Sequence, residues 1–298
     1  MDIAQFLVQI LNGVQYGFLL FLIASGLTLI FGIMGIINLA HGAFYMLGAY
    51  LAYWLTLVTG NLFVAIAIGV PTMVVVGFLI ERYFIAFLYN RDHLDQVLLT
   101  FGLILVINEL QKIFWGTDFY SVPMPSVLKG SIPLTENQDY PIYRLFISVV
   151  CMVIAASLYL LISRTRLGMK IRAGAANREM TQSLGIDIGW LFSVVFGIGV
   201  ALAAFAGLIG APVSAVYPGM GDHILIVSFV VVVIGGIGSI KGAFVGAMII
   251  GLVDTFGKVI KIELLGIPIL PENAAMTIYA LMALVLVVRP QGLFGRRT

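Results

Sequence analysis

Long runs of apolar residues follow one another along the chain and are separated by short polar stretches. Each run is predicted to be a helix, because about 20 apolar residues cross the roughly 30 Å hydrocarbon core of a membrane. The nine predicted spans cover residues 6–34, 43–57, 62–80, 97–115, 142–162, 190–211, 224–234, 243–260 and 274–288. The seventh run is too short to cross at about 1.5 Å per residue. It either begins earlier, near Met220, or is a half-helix, so eight to ten crossings are compatible with the pattern.

Composition excludes most other classes of protein. Of the 298 residues, 61% are hydrophobic and only 10% are charged, whereas a soluble globular protein carries about 25% charged residues. The same apolar content excludes a disordered chain. Continuous apolar runs also disagree with the alternating strands of an outer-membrane barrel. No polar insertion of domain size interrupts the pattern, so residues 1–298 are predicted to form one all-helical, polytopic membrane domain.

The basic residues predict an orientation. Cytoplasmic loops of membrane proteins are enriched in lysine and arginine. Eleven of the 16 basic residues fall on one side of the predicted spans, namely Arg82, Arg91, Arg164, Arg166, Lys170, Arg172, Arg178, Lys241, Arg289, Arg296 and Arg297. With nine spans, this places the N-terminus in the periplasm and the C-terminus in the cytoplasm. Segment 163–189 is then cytoplasmic and the proline-rich loop 116–141 is periplasmic. The acidic N-terminus predicts no cleaved signal peptide.

The sequence contains few candidate catalytic or cofactor-binding motifs. The glycine-rich stretch 235–242 lacks the lysine and hydroxyl residue that complete a phosphate-binding loop. One cysteine and three scattered histidines predict no metal cluster and no disulfide. The chain is therefore not expected to be an enzyme, to bind a cofactor itself or to bind nucleic acid. Two charged pairs inside the spans, Glu109 with Lys112 and Asp254 with Lys258, have helical spacing and are interpreted as self-neutralising structural pairs.

A glycine-bounded break between the first two spans is the candidate substrate path. It contains Asn38, His41 and Gly42. Irregular backbone at membrane depth is tolerated where it is buried in protein or lines a watery cavity, and interrupted helices supply free polar groups to a substrate. Gln15 and Tyr16 make the first span polar and are added to the predicted path. The alternative is a plain cytoplasmic turn. Residues 235–244 are identical to residues 35–44 at five of the ten aligned positions, which favours a path built from two related breaks.

The basic segment between the fifth and sixth spans has a residue pattern that the positive charge of cytoplasmic loops alone does not explain. Residues 180–184 are predicted to form a short helix that ends at Gly185, since glycine accepts the left-handed conformation there. Apolar anchors accompany the charges at Leu167, Met169, Ile171, Met180, Leu184 and Ile186. Such a helix suits docking in the groove of a partner protein.

Five motifs together resemble the permease subunits of bacterial branched-chain amino acid ABC importers. They are residues 35–42 (GIINLAHG), 166–169 (RLGM), 183–186 (SLGI), 235–242 (GGIGSIKG) and 289–295 (RPQGLFG). The resemblance extends over nearly the whole chain. ABC permeases carry an E-A-A-x-x-x-G loop that couples to the ATPase. Glu179 and Gly185 match its spacing, while Met180 and Thr181 replace the two alanines. Arg172 and Arg178 flank this loop and are predicted to take part in coupling.

The resemblance implies a type II ABC importer-like permease with some discontinuous helices, in the bacterial inner membrane and surrounded by lipid. It also implies a second homologous permease, two ATP-binding subunits that hold ATP and magnesium, and a periplasmic substrate-binding protein. Branched-chain amino acids are the expected substrates, with urea, short amides or other small polar solutes as alternatives. A self-sufficient secondary transporter or channel is the rival class. Whether the two permeases are identical is left open by the sequence.

Overall fold

The computed structural model describes residues 3–89, 91–135, 138–259, 262–264, 267–269 and 274–295. Its eleven α-helices within those residues are α1 Ile3–Leu29, α2 His41–Thr59, α3 Leu62–Tyr83, α4 His93–Trp115, α5 Ile142–Arg164, α6 Arg166–Ala176, α7 Arg178–Ser183, α8 Ile188–Gly210, α9 Met220–Gly235, α10 Ile240–Gly257 and α11 Ala274–Val288. A π-helical turn, Ile30–Met34, extends α1, and 3₁₀ turns cover Ile85–Leu88 and Ser126–Leu128. Two antiparallel hairpins pair β1 Ser131–Thr135 with β2 Gln138–Pro141 and β3 Ile262–Leu264 with β4 Ile267–Ile269.

Helix lengths confirm the predicted polytopic fold. Seven helices in the described part of the chain are long and apolar enough to cross a membrane, and α9 and α11 are shorter apolar helices. Helix α9 begins at Met220, the earlier of the two predicted starts, and has 16 residues. That is about 24 Å at 1.5 Å per residue, which is less than the hydrocarbon thickness. Helix α9 is therefore shorter than a full span.

Helices α1 and α8 form the centre of the bundle. Almost all of the apolar side chains between Phe18 and Met34 are buried, as are most of those in α8. Small residues bring the backbones together: a Cβ on Gly48 of α2 would lie 2.7 Å from the Ala204 Cα, and one on Gly207 of α8 would lie 2.9 Å from the Ala49 nitrogen. Close backbone approach through glycine is the usual way to stabilise helix pairs in membranes.

The peripheral helices expose apolar surface. Phe78 and Leu79 of α3, Phe101 of α4 and Met152 of α5 are each about half exposed. In a membrane protein such faces meet lipid or another subunit, because water is absent at that depth.

The break between α1 and α2 lies inside the bundle. The π-helical turn ends at Gly35, whose φ is 65°, and irregular backbone continues to Ala40. Helix α2 then starts against the middle of α1, where the ring of His41 meets the Ile23 carbonyl. The Thr100 hydroxyl of α4 donates to the Ile37 carbonyl, so the break is held from a second side. This confirms that helices of the bundle are discontinuous.

The sequence does not predict the hairpins β1–β2 and β3–β4 or helix α6. The hairpin β1–β2 lies in the proline-rich loop 116–141, with Pro133 and Pro141 at pairing positions of strands that have only one neighbour. Proline is tolerated on an edge strand, because an edge has no second neighbour to bond. Helix α6 is not predicted, because its basic residues interrupt the apolar pattern. Its buried positions Gly168, Ile171 and Gly174 follow helical spacing.

Candidate functional site

The predicted site residues fall into two groups at opposite ends of α1. Near one end, Gly32 packs on Gly238, just before α10 begins. Near the other, Gly13 packs on Leu252, close to where α10 ends. Asn38 and the basic segment belong with the first end, called here the α7 end, and the break runs from that end to His41, beside Ile23 in the middle part of α1. Gln15 and Tyr16 belong with the second, called here the cavity end.

Asn38 and His41 are fully buried at the break. The Asn38 Oδ1 accepts a hydrogen bond from the Ala40 amide at 3.1 Å, and the His41 Nε2 lies 2.9 Å from the Ile23 carbonyl oxygen. Because a carbonyl only accepts, Nε2 holds the imidazole proton and Nδ1 is left as an acceptor. Within the described residues, the Asn38 Nδ2 and the His41 Nδ1 have no hydrogen-bond partner.

Two unpartnered polar atoms at one break are energetically costly. A buried polar group without a partner destabilises a protein by about 1–3 kcal/mol. Such a group is retained where it has another use or where another state of the protein satisfies it.

Close packing explains why residue 42 is glycine, since a Cβ there would meet the Gly221 carbonyl and would lie 2.7 Å from the Leu225 Cβ. The first turns of α2 and α9 therefore touch at Gly42.

Helix α6 folds back on the end of α5. The Thr165 hydroxyl caps α6 by accepting from the Gly168 amide at 3.0 Å. Gly168 packs against the last carbonyls of α5, at Leu161 and Ile162. Arg172 is exposed and donates to that same Ile162 carbonyl. The predicted coupling residue Arg172 thus joins α6 to α5 within the chain.

Helix α7 is closed at both ends by local hydrogen bonds. The Asn177 side chain accepts from the Met180 amide at 2.9 Å. Gly185 has a φ of 82°, which confirms the predicted left-handed conformation just beyond the helix. The Asp187 carboxylate then caps α8 by accepting from the Trp190 amide at 3.0 Å. Three consecutive caps give the basic segment a defined shape.

The exposed face of α7 is mixed in character. Glu179 is exposed, and its carboxylate has no partner in the described part of the chain. Met180 and Leu184 beside it are 61% and 74% exposed. An acidic group next to two exposed apolar side chains is a surface that a partner protein can cover.

Arg178 connects α7 to the end of α1. Its guanidinium donates to the carbonyls of Ile33, at 3.3 Å, and Met34. It also lies 5.1 Å from the centroid of the Phe192 ring in α8. Burial lowers the pKa of the Arg178 guanidinium from its ordinary value, but that value is so high that the charge is kept. The last carbonyls of a helix have no partners within it, so Arg178 satisfies groups that α1 itself leaves unpaired.

Glu81 was missed by sequence reasoning. The predicted third span ends at residue 80 and leaves Glu81 outside it, but Glu81 is 1% exposed at the end of α3. Its carboxylate accepts hydrogen bonds from the Ser193 hydroxyl of α8, at 2.5 Å, and from the Tyr89 hydroxyl. A glutamate at the boundary of a span gives no sequence signal for such burial. The contact joins α3 to the first turns of α8, next to Phe192.

A cavity of about 430 Å³ lies at the cavity end. Of the predicted path residues, Gln15 and Tyr16 line it, whereas Asn38, His41 and Gly42 do not. Its other lining residues are Gln9, Asn12, Leu19, Tyr45, Arg144, Gly210, Val213, Ser214, Asp254, Thr255, Lys258 and Val259. The cavity is therefore surrounded by α1, α2, α5, α10 and the residues that end and follow α8.

Charged and polar groups meet inside this cavity. Lys258 Nζ lies 2.5 Å from Asp254 Oδ2, which confirms the predicted pair, and 5.7 Å from the centroid of the Tyr16 ring. Arg144 Nη1 donates to the Asn12 Oδ1 at 2.6 Å. The predicted Glu109–Lys112 pair also forms, at 2.6 Å, but on the exposed surface of α4. Of these two pairs, Asp254–Lys258 is the one that lines the 430 Å³ cavity.

Comparison with known proteins identifies the family. Residues 9–286 match the model of the branched-chain amino acid transport system permease component family. The chain belongs to this family. It is 31% identical to the high-affinity branched-chain amino acid transport system permease protein BraD of Pseudomonas aeruginosa, with 99% of this chain and 97% of BraD covered. It is 30% identical to LivH of Escherichia coli K12, a permease protein of the same description, over 98% and 96% of the two chains.

A solved structure supports the fold of the permease. PsaBC from Streptococcus pneumoniae, determined in complex with a Fab, is similar with a TM-score of 0.51 at 9% identity, covering 95% of this chain and 92% of that chain. The permease is thus a multi-pass membrane protein with the fold of a type II ABC importer. It is not itself catalytic: ATP is used on partner subunits, and an importer also requires a binding protein.

Replacing Arg178 with glutamine tests the link between α7 and α1. The neutral side chain loses its charge-assisted bonds to the α1 carbonyls, so we expect ATP-dependent transport to fall at least about tenfold, as removal of a charged donor costs roughly 1.5–3 kcal/mol. ATP hydrolysis by the assembled complex should persist, so the ratio of transport to hydrolysis is the quantity to measure. Lys170→Gln, which removes an exposed charge from α6, is the matched control. Equal ratios in both variants would contradict the assigned role.

Proposed function

We propose that this permease forms half of a pathway that carries branched-chain amino acids across a bacterial inner membrane. ATP-driven movement would enter through the coupling segment, residues 163–189. The observation that carries this proposal is the contact of Arg178 with the Ile33 and Met34 carbonyls, because it joins the predicted coupling loop to the helix that borders both the break and the cavity. The substrate class is supported by the names of the two relatives, BraD and LivH.

The partners follow from the importer architecture. The proposal includes a second homologous permease, two ATP-binding subunits that hold ATP and magnesium, and a periplasmic substrate-binding protein. The exposed Glu179, Met180 and Leu184 are proposed to dock on an ATP-binding subunit. Gly185 ends the docking helix, and Arg172 holds α6 against α5 while force is transmitted.

The proposed mechanism is alternating access. Closure of the ATP-binding subunits displaces α7, and Arg178 transfers that displacement to the end of α1. Because α1 is one continuous helix from Ile3 to Leu29 with a π-helical extension, a movement at its α7 end also reaches the cavity end. A ligand shifts such an equilibrium only when it binds one state more tightly than the other. ATP and the loaded binding protein are proposed to supply that difference.

Uptake by the complete transporter tests the proposed function. The permease with its partner permease, ATP-binding subunits and binding protein is reconstituted in vesicles, and L-leucine, L-valine and urea are offered separately. We expect ATP-dependent uptake of both amino acids and none without ATP or without the binding protein. Uptake of urea in place of leucine would assign another solute. Uptake by vesicles that hold this chain alone would show a self-sufficient transporter.

Labelling of a single cysteine tests the proposed orientation. The coupling segment 163–189 is proposed to be cytoplasmic, the loop 116–141 and the N-terminus periplasmic, and the C-terminus cytoplasmic. Asn177→Cys in a Cys151→Ala background should resist membrane-impermeant thiol reagents in spheroplasts and react after lysis. Val127→Cys in the same background is the control, because Val127 is exposed in the loop and should react from outside. The opposite pattern would reverse the topology.

Asn38 and His41, with Gly42, are proposed to border the pathway in another state of the transport cycle. The support is the pair of unpartnered polar atoms at the break, which a passing polar substrate or water would satisfy. Gln15 and Tyr16 would border the same pathway at the cavity end.

Substitution of Asn38 separates this role from the local turn that Asn38 forms with the Ala40 amide. Asn38→Leu should reduce uptake at least about tenfold while expression and basal ATP hydrolysis are kept, because a lost hydrogen bond to a polar solute costs roughly 1–3 kcal/mol. Asn38→Ser retains an acceptor for the Ala40 amide but lacks the amide donor, and should also be impaired. Thr56→Val is the control, since Thr56 of α2 also has a buried hydroxyl without a partner among the described residues. Normal uptake by Asn38→Ser would show that Asn38 only accepts the hydrogen bond of the Ala40 amide.

A further inference from the structure

We infer that the 430 Å³ cavity is a binding site for a zwitterionic α-amino acid within the permease itself. Asp254 would receive the ligand's ammonium group, and Arg144 together with Lys258 would receive its carboxylate. This inference rests on the proposed function, because it names the permease's own recognition site on the proposed substrate route.

The size and lining of the cavity suit a small amphiphilic solute. Pockets for small molecules usually occupy about 300–1,000 Å³ and combine apolar walls with a few polar groups. Here the apolar wall is formed by Leu19, Val213 and Val259, and the polar groups lie on α1, α5 and α10. An aliphatic side chain can contact the first set while the charged groups of the amino acid contact the second.

The Asp254–Lys258 pair is unequally buried. The Asp254 side chain is 10% exposed, whereas the Lys258 side chain is 58% exposed. A buried carboxylate without a cation is strongly destabilising, so Lys258 neutralises Asp254 when the cavity is empty. The long and exposed Lys258 side chain can withdraw when another ammonium group takes its place. Lys258 Nζ then becomes available to the carboxylate of the same ligand, and the number of ion pairs is kept.

Arg144 supplies the second cationic group from a different helix. It lies in the first turn of α5 and donates through Nη1 to the Asn12 Oδ1, which positions the guanidinium at the cavity wall. A guanidinium has five N–H donors and binds carboxylates in a bidentate manner. The bond to Asn12 leaves other donors of Arg144 for a ligand.

Gln15 adds a neutral polar group to the cavity. It is only 4% exposed and lines the cavity. Its side-chain amide carries both a hydrogen-bond donor and an acceptor. A carboxylate and an ammonium group therefore both offer it a partner.

A double substitution distinguishes a binding site from a structural ion pair. Asp254→Asn combined with Lys258→Gln removes both charges and leaves no unpaired charge, so a purely structural pair should tolerate it. The site predicts at least a tenfold weaker Kd for radiolabelled L-leucine, measured on the complete transporter in nanodiscs without binding protein. It also predicts slower uptake with saturating leucine-loaded binding protein. Glu109→Gln with Lys112→Gln, which neutralises the exposed pair on α4, is the matched control and should change neither quantity.

Competition on the wild-type complex keeps the test decisive if the double variant folds poorly. Saturable L-leucine binding that L-valine displaces, but that leucinamide and 4-methylpentanoate do not, supports a zwitterion site. Absence of saturable binding, or unchanged binding and uptake in a well-folded double variant, overturns the site while leucine uptake by the wild type still upholds the proposed function. Failure of the wild type to take up any branched-chain amino acid, with normal assembly and ATP hydrolysis, would instead reject the proposed function.

Discussion

The carbonyl groups that end α1 need hydrogen-bond donors in a place where water is scarce, and Arg178 supplies them from another element. Backbone groups at membrane depth must be satisfied by the protein. The π-helical turn and the break that follow α1 leave the Ile33 and Met34 carbonyls without helical partners, and the guanidinium of Arg178 meets both. The position of α7 is thereby tied to the end of α1. The proposed coupling of ATP hydrolysis to transport depends on this connection.

Helix α1 relates the two groups of candidate residues to each other. From Gln15 in the cavity to Met34 beside Arg178, α1 and its extension span roughly 28 Å at 1.5 Å per residue. Between them, Ile23 accepts the hydrogen bond of His41, which starts α2. The cavity, the break and the coupling segment thus contact one helix at three successive heights. Since α1 is packed along α8 and α10 through glycine contacts, displacement of one end is transmitted rather than absorbed.

The sequence predicted the bundle well because membrane helices have a strong and simple signal. The apolar runs gave the spans to within a few residues, and the short seventh run gave the partial helix α9. Gly185 was predicted correctly because a left-handed backbone is a local property of glycine. A local backbone conformation of this kind can be predicted from the sequence without knowing the fold.

Contacts between distant elements could not be predicted in the same way. Nothing in the pattern places Arg144 against Asn12 or Glu81 against Ser193, because each pair is more than 100 positions apart. The Asp254–Lys258 pair was expected from its spacing, but its position in a cavity beside Gln15 depends on how α10 packs on α1. Arg178 is predicted to take part in coupling, but its contact with the Ile33 and Met34 carbonyls depends on how α7 packs on the end of α1.

Structures of the complete transporter without nucleotide and with trapped ATP would show whether Arg178 moves the end of α1 together with α7. The quantity to measure is the distance from the Arg178 guanidinium to the Met34 carbonyl oxygen in both states, together with the position of α7. The account predicts that α7 moves relative to α9 while the contact between Arg178 and Met34 is kept, so that the end of α1 moves with it. Separation of Arg178 from Met34 as α7 moves, with α1 unchanged, would contradict the account.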